Sequence, residues 1–165
     1  MDINRILVPV SFAPSCKKAI RTAATLASAF EAKLYVVSVY KTPTSYFQSV
    51  GAMLFPEDLE KERKQWIKDL DKLVEREMRI LKLSVDVEEI RIEDKDPVKA
   101  ILNVAKEKDI DLMVVGHHEE TRLERMLFGR NIGKLVDGAP CDVIVTRSHL
   151  FQKKQAKAEK GKKAA

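Results

Sequence analysis

Short apolar runs alternate along the chain with longer stretches in which apolar residues return every three or four positions. Arg5-Ile6-Leu7-Val8-Pro9-Val10 is an apolar, β-branched run closed by turn residues, which predicts a strand. From Ser15 to Phe30, the residues Ala19, Ala23, Leu26, Ala27 and Phe30 recur at helical steps. Their small side chains predict a helix lying close on a sheet, with Pro14-Ser15 as its start signal. Lys33 to Tyr40 is a second strand with enough consecutive apolar residues to be covered on both faces, as central parallel strands are.

Residues 41–55 hold Pro43, Gly51 and scattered aromatics without a period and read as a long loop. Leu59, Trp66, Leu70, Leu73, Val74, Met78 and Leu81 then line one face of a helix from Pro56 to about Leu81. Ser84 to Ile92 predicts a third strand whose alternation slips at Glu88-Glu89, as a β-bulge would cause. Asp96-Pro97 opens a helix to about Lys108 with Val98, Ile101, Leu102 and Ala105 inward, and Asp111–Gly116 is a fourth strand. After a polar loop come a short helix, Gly129 to Asp137, and a fifth strand, Cys141 to Thr146. Strands that alternate with helices through right-handed crossovers predict an α/β fold, an open parallel five-stranded sheet with helices on both faces.

A chain of 165 residues, 45% hydrophobic and 33% charged, is expected to form one domain. That domain covers residues 1–147. The remaining residues, 148–165, rich in Lys, Ala and Gln without an apolar face, predict a basic, disordered tail. No apolar run approaches the about 18 residues needed to span a bilayer, so no membrane insertion is expected. The start Met1-Asp2-Ile3-Asn4-Arg5 lacks the features of a secretion signal, which predicts a cytoplasmic protein. Net charge is +5, but residues 152–165 contain six lysines and one acid, Glu159. Taking these from 30 basic and 25 acidic residues leaves 24 of each, so the body is formally neutral and no specific nucleic-acid partner is expected. The tail reads as a solubilising appendage.

In an open parallel sheet ligands bind beyond the carboxyl ends of the strands, where strand order reverses. That selects the loops at Pro9–Ala13, Val39–Lys41 and Gly116–Gly129. Gly129 precedes a helix, so its N–H groups are placed to meet a phosphate. His117-His118-Glu119 invites a metal, but adjacent side chains diverge and the spacing is not that of a ligand pair, so no metal is expected. Cys16, near the start of the first helix, is either a redox-responsive thiol or, as the reading prefers, a packed helix residue; Cys141 is also expected to be a free thiol. No nucleophile is accompanied by a recognisable base, and no enzyme is expected.

Four segments, Ile6–Val10, Asp111–Gly116, Leu123–Gly129 and Ala139–Val145, resemble the universal stress protein family. The resemblance implies a Rossmann-like, adenine nucleotide alpha hydrolase-like fold with strand order 3-2-1-4-5. It also implies a homodimer paired through the last strand, Asp142 to Thr146, and, in one branch of the family, ATP held by a G-2x-G-9x-G-(S/T) motif. Gly116 and Gly129 match the first and third glycines; Glu119 replaces the second, Arg130 the Ser/Thr, and Ser11 the Asp used against adenine. Glu119 sets a side chain and a negative charge beside a polyanion, which opposes ATP, whereas the Arg130 guanidinium suits phosphate or carboxylate oxygens. The crevice residues are Pro9, Val10, Ser11, Val39, Gly116, His118, Glu119, Gly129, Arg130 and Asn131. The expected function is a regulatory or binding role in stress response, without tight ATP binding and with a regulatory protein partner. The alternative is a switch or very weak ATPase holding ATP, ADP or AMP.

Overall fold

A computed structural model of the chain describes residues 2–12, 14–40, 56–117 and 132–147. In chain order the elements are β1 (Arg5–Val10), α1 (Pro14–Phe30), β2 (Lys33–Tyr40), α2 (Pro56–Leu81), β3 (Val87–Glu93), α3 (Pro97–Glu107), β4 (Leu112–His117), α4 (residues 132–138) and β5 (Asp142–Arg147). The strands form one parallel sheet in the order β3-β2-β1-β4-β5, the expected order 3-2-1-4-5. The long loop expected over 41–55 and the tail over 148–165 lie outside the described residues.

Side-chain alternation divides the core in two. Ile6, Val8 and Val10 of β1, Leu34 and Val36 of β2, and Leu112 and Val114 of β4 face α1 and α2. Leu7, Tyr35, Val37, Met113 and Val115 face α3 and α4. Ala19, Ala23, Ala24 and Ala27 of α1 are buried against the first set, so the predicted small-residue stripe does let the helix lie close. Phe30, expected at the end of that stripe, is instead 47% exposed, because it is the last helical residue and the chain turns away at Glu31 (φ 54°).

β3 departs from its sequence reading. It starts at Val87 rather than Ser84, and its pairing with β2 runs without interruption from Leu34↔Val87 to Tyr40↔Glu93, so no bulge exists. The slip has another cause: Val85 and Val87 pack on the α1/α2 side, whereas Ile90 and Ile92 pack on the α3 side. Apolar residues change face along an edge strand that helices cover partly on both sides.

The same edge is covered by charge. Glu88 accepts from Lys108 Nζ at 2.7 Å and pairs with Lys33 Nζ at 2.9 Å, and both ammonium groups lie over the Tyr35 ring at 5.6 and 5.5 Å. Arg91 pairs with Asp71 and Glu89, and Arg63 with Glu93. The hydrogen bond from Lys108, reinforced by Lys33, holds the Glu88 carboxyl below its ordinary value of 4.5. The bond to Glu88 likewise raises Lys33 above 10.5.

A carboxylate with a lowered folded pKa stabilises above its unfolded value and loses that contribution as pH falls through the lowered one; a lysine with a raised pKa does so in reverse at the alkaline end. Glu88→Gln should therefore lower the urea midpoint at neutral pH by a small amount, since water screens both partners. The difference from wild type should shrink as pH falls below 4.5 and vanish once Glu88 is protonated in the folded chain. A pH-independent difference in urea titrations would contradict the assignment.

Candidate ligand crevice at the carboxyl ends of the strands

β1 and β4 are neighbours in the sheet, yet the chain leaves them for opposite faces, to α1 after β1 and to α4 after β4. This is the point at which strand order reverses. Their amino ends are tied. Asp111 Oδ2 accepts from the backbone N–H groups of Asn4 at 2.9 Å and Arg5 at 2.8 Å, and Asp111 N–H donates to Arg5 O at 3.0 Å. The β1–β4 register holds at Ile6↔Leu112 and Leu7↔Met113, whereas β1–β2 continues to Val10↔Ser38. Toward the carboxyl ends the ladder between β1 and β4 is not continued, and the crevice opens there.

The described members of the predicted site converge on this end of the sheet but divide between its faces. Pro9 and Val39 are half-buried, and Val39 packs on the α3/α4 side. Val10 is buried on the α1/α2 side. Ser11 is exposed, just past the end of β1. His118, Glu119, Gly129, Arg130 and Asn131 lie outside the described residues, so the phosphate-loop half of the prediction has no geometry here.

Two details give these residues physical roles. A side chain at Gly116 would place its Cβ 2.8 Å from Ser15 O and 2.9 Å from Ser15 C, inside contact distance of the first turn of α1. The first glycine of the nucleotide motif is therefore required by helix packing, whatever the crevice holds. Ser11, in turn, donates its backbone N–H to Cys16 Sγ at 3.3 Å, and its hydroxyl lies 3.3 Å from the same sulfur. Cys16 is buried, as the packed-residue reading expected, and both cysteines are free.

Sequence reasoning missed an aromatic cluster at this end. Trp66 of α2 meets Tyr40, the last residue of β2, at 5.4 Å between ring centroids and Phe12 at 6.4 Å, both edge-on. Burial, reinforced by Glu62 and Glu93, raises the Tyr40 phenol above 10.0. The signal was available only as aromatics at two strand ends, which nothing in the sequence ties to α2. Lys18 of α1 also reaches across to donate to Arg147 O at 2.8 Å, fastening α1 to the end of β5.

Among the described residues no cluster of three or more His, Cys, Asp or Glu side chains is placed to hold a metal, and no helix is long and apolar enough to cross a membrane. The sheet and its strand-order reversal at β1/β4 thus define a doubly wound α/β protein.

The chain belongs to the universal stress protein family, whose sequence profile matches residues 2–147. It is 28% identical over 150 residues to universal stress protein YxiE of Bacillus subtilis, covering 87% of this chain and 99% of that one. With universal stress protein MJ0531 of Methanocaldococcus jannaschii it shares 26% identity over 148 residues, covering 87% and 82%. Among solved structures, UspA from Lactobacillus plantarum superposes with a TM-score of 0.70 at 24% identity, covering 89% of this chain and 99% of that one. A universal stress protein in complex with cAMP gives 0.61 at 18% identity, covering 89% and 98%. One from Archaeoglobus fulgidus in complex with dAMP gives 0.57 at 20%, covering 88% and 98%. At these identities the structures show a shared fold.

Gly116→Ala should push the start of α1 off β4. The expected loss is about 1–3 kcal/mol by urea denaturation, the range for overpacking a well-filled site. An unchanged midpoint would mean that α1 yields freely there.

Proposed function

We propose that this chain is a cytoplasmic stress-response protein of binding or regulatory type, not an enzyme, which acts as a homodimer and does not hold ATP tightly. Its domain spans residues 1–147, with 148–165 as a basic appendage. The observation that carries the reading is Ser11. At the position where the family resemblance places an adenine-contacting Asp, this chain has a hydroxyl and an N–H turned onto Cys16 Sγ, and no carboxylate. Glu119 and Arg130 alter two further motif positions, one of them adding negative charge where phosphates would lie.

The homodimer reading rests on a contrast between the two sheet edges. β3 carries Glu88, Glu89, Arg91 and Glu93 with their ion partners, the kind of charged edge that resists strand addition. β5 exposes Ile144 and Val145, 37% and 41%. An apolar edge strand with free backbone groups suits pairing with its own copy across a two-fold axis through Asp142 to Thr146. A regulatory protein partner would then meet the dimer elsewhere. Val145→Lys should convert a dimer at micromolar concentration into a monomer in sedimentation equilibrium; a dimer that withstands this change pairs by another surface.

The second reading is an adenine-nucleotide switch or very weak ATPase, favoured by the relatives solved with cAMP and dAMP. In it, ATP, ADP or AMP is held mainly by backbone groups near Val10, Val39, Gly116, Gly129, Arg130 and Asn131, contacts that side-chain replacement leaves in place. Calorimetric titration separates the two. The first reading predicts dissociation constants for ATP, ADP and AMP weaker than about 0.1 mM. Micromolar binding that Gly129→Asp abolishes would establish the second.

A further inference from the structure

α2 is seated along one apolar face. From Glu57 to Leu81 its buried residues are Leu70, Val74 and Glu77, and from Glu57 to Gln65 every residue but Leu59 is exposed. One member of this narrow seam is thus a carboxylate, 0% exposed. Arg21 Nε of α1 donates to Glu77 Oε2 at 2.6 Å. Glu77 Oε1 has no hydrogen-bond donor among the described residues, and Arg76 Nε stands 3.7 Å away.

A buried carboxylate gives up its hydration, and pairing with one guanidinium replaces only part of it. Removing the Arg21 guanidinium would leave the charge only the longer ion pair to Arg76, and exposure to water relieves it. The apolar seam that must separate is one helix face, buried at Leu70 and Val74 and half-buried at Trp66, Leu73, Met78 and Leu81, so opening α2 uncovers less apolar surface than unfolding the sheet. About three turns back along the same helix, Trp66 meets Phe12 and Tyr40, and Phe12 directly follows Ser11 past the end of β1. Lys82, just past the end of α2, is in the left-handed region at φ 51°, where the chain reverses toward β3.

We propose that the Arg21–Glu77 pair is a charge latch that keeps α2 seated on α1, and that breaking it lets α2 open as a unit of its own, withdrawing Trp66 from Phe12 and Tyr40 beside the crevice. The latch operates whether or not a nucleotide binds. It gives the fold a two-state element whose position is felt at the carboxyl ends of β1 and β2.

Hydrogen exchange on the full chain tests it. Arg21→Met should raise exchange of α2 amides about tenfold or more, equivalent to about 1.4 kcal/mol or more, while β1, β2 and β4 keep their wild-type protection. Trp66 is the sole tryptophan, so its emission should shift to the red in the same variant. Arg21→Lys, which keeps the charge, should stay within about threefold of wild type. The double change Arg21→Met/Glu77→Met should restore α2 protection to a similar margin, since it removes the buried charge together with its partner. Equal acceleration of α2, β1 and β4, or unchanged α2 exchange in Arg21→Met, would overturn the latch. So would a double variant that exchanges faster than the single one.

Discussion

The structure depends on how β1 is set against β4 at the middle of the sheet. Asp111 ties the amino ends of the two strands with two hydrogen bonds from the β1 backbone to a single carboxylate oxygen. Bonds to a charged acceptor contribute about 1.5–3 kcal/mol where shielded, and less where water reaches them as here. Their larger effect is on register, because they fix the level at which the central strands begin. At the other end, Ser15 in the first turn of α1 comes so near to Gly116 that no side chain fits between helix and strand. Tied below, the two strands are left without a continued ladder above.

This constraint also explains why the two halves of the molecule differ. β3 and β2 form a continuous ladder on one side, and that edge is finished with ion pairs. On the other side β5 follows β4 in full register from Leu112↔Asp142 to His117↔Arg147, and it exposes apolar Ile144 and Val145 between charged Asp142 and Arg147. The two edges of the sheet therefore differ in character, since charge along an edge strand resists strand addition. Lys18, bonded to Arg147 O, links that edge back to α1 and so to the wall of the crevice.

Much of the fold was legible in the sequence because parallel strands buried on both faces read as apolar runs and the helices between them keep a strict small or apolar stripe. The α1 alanines are the clearest case. Two readings needed three dimensions. The slip in β3 looked like a bulge because Val85, Val87, Ile90 and Ile92 cannot all face one side; the structure keeps the register and gives each pair its own face. Glu77 lies in a run of alternating Lys, Arg and Glu that reads as solvated surface, and only the approach of Arg21 from α1 reveals it as buried. Gly116 was read as the first glycine of a nucleotide motif, whereas its neighbour in the structure is the backbone of α1 at Ser15. Ser11 was seen as a missing carboxylate, but its bonding to Cys16 depends on the turn after β1.

The account's central claim is that this family member keeps the crevice of its fold while the groups that would grip ATP have been replaced. Mass spectrometry of small molecules released from the purified, denatured protein tests it most directly, because a tight ligand survives purification and a weak one does not. The account predicts no adenine nucleotide in an amount approaching one per chain. Recovery of near-stoichiometric ATP, ADP or AMP would contradict it and show that backbone contacts at the strand ends suffice without the missing side chains.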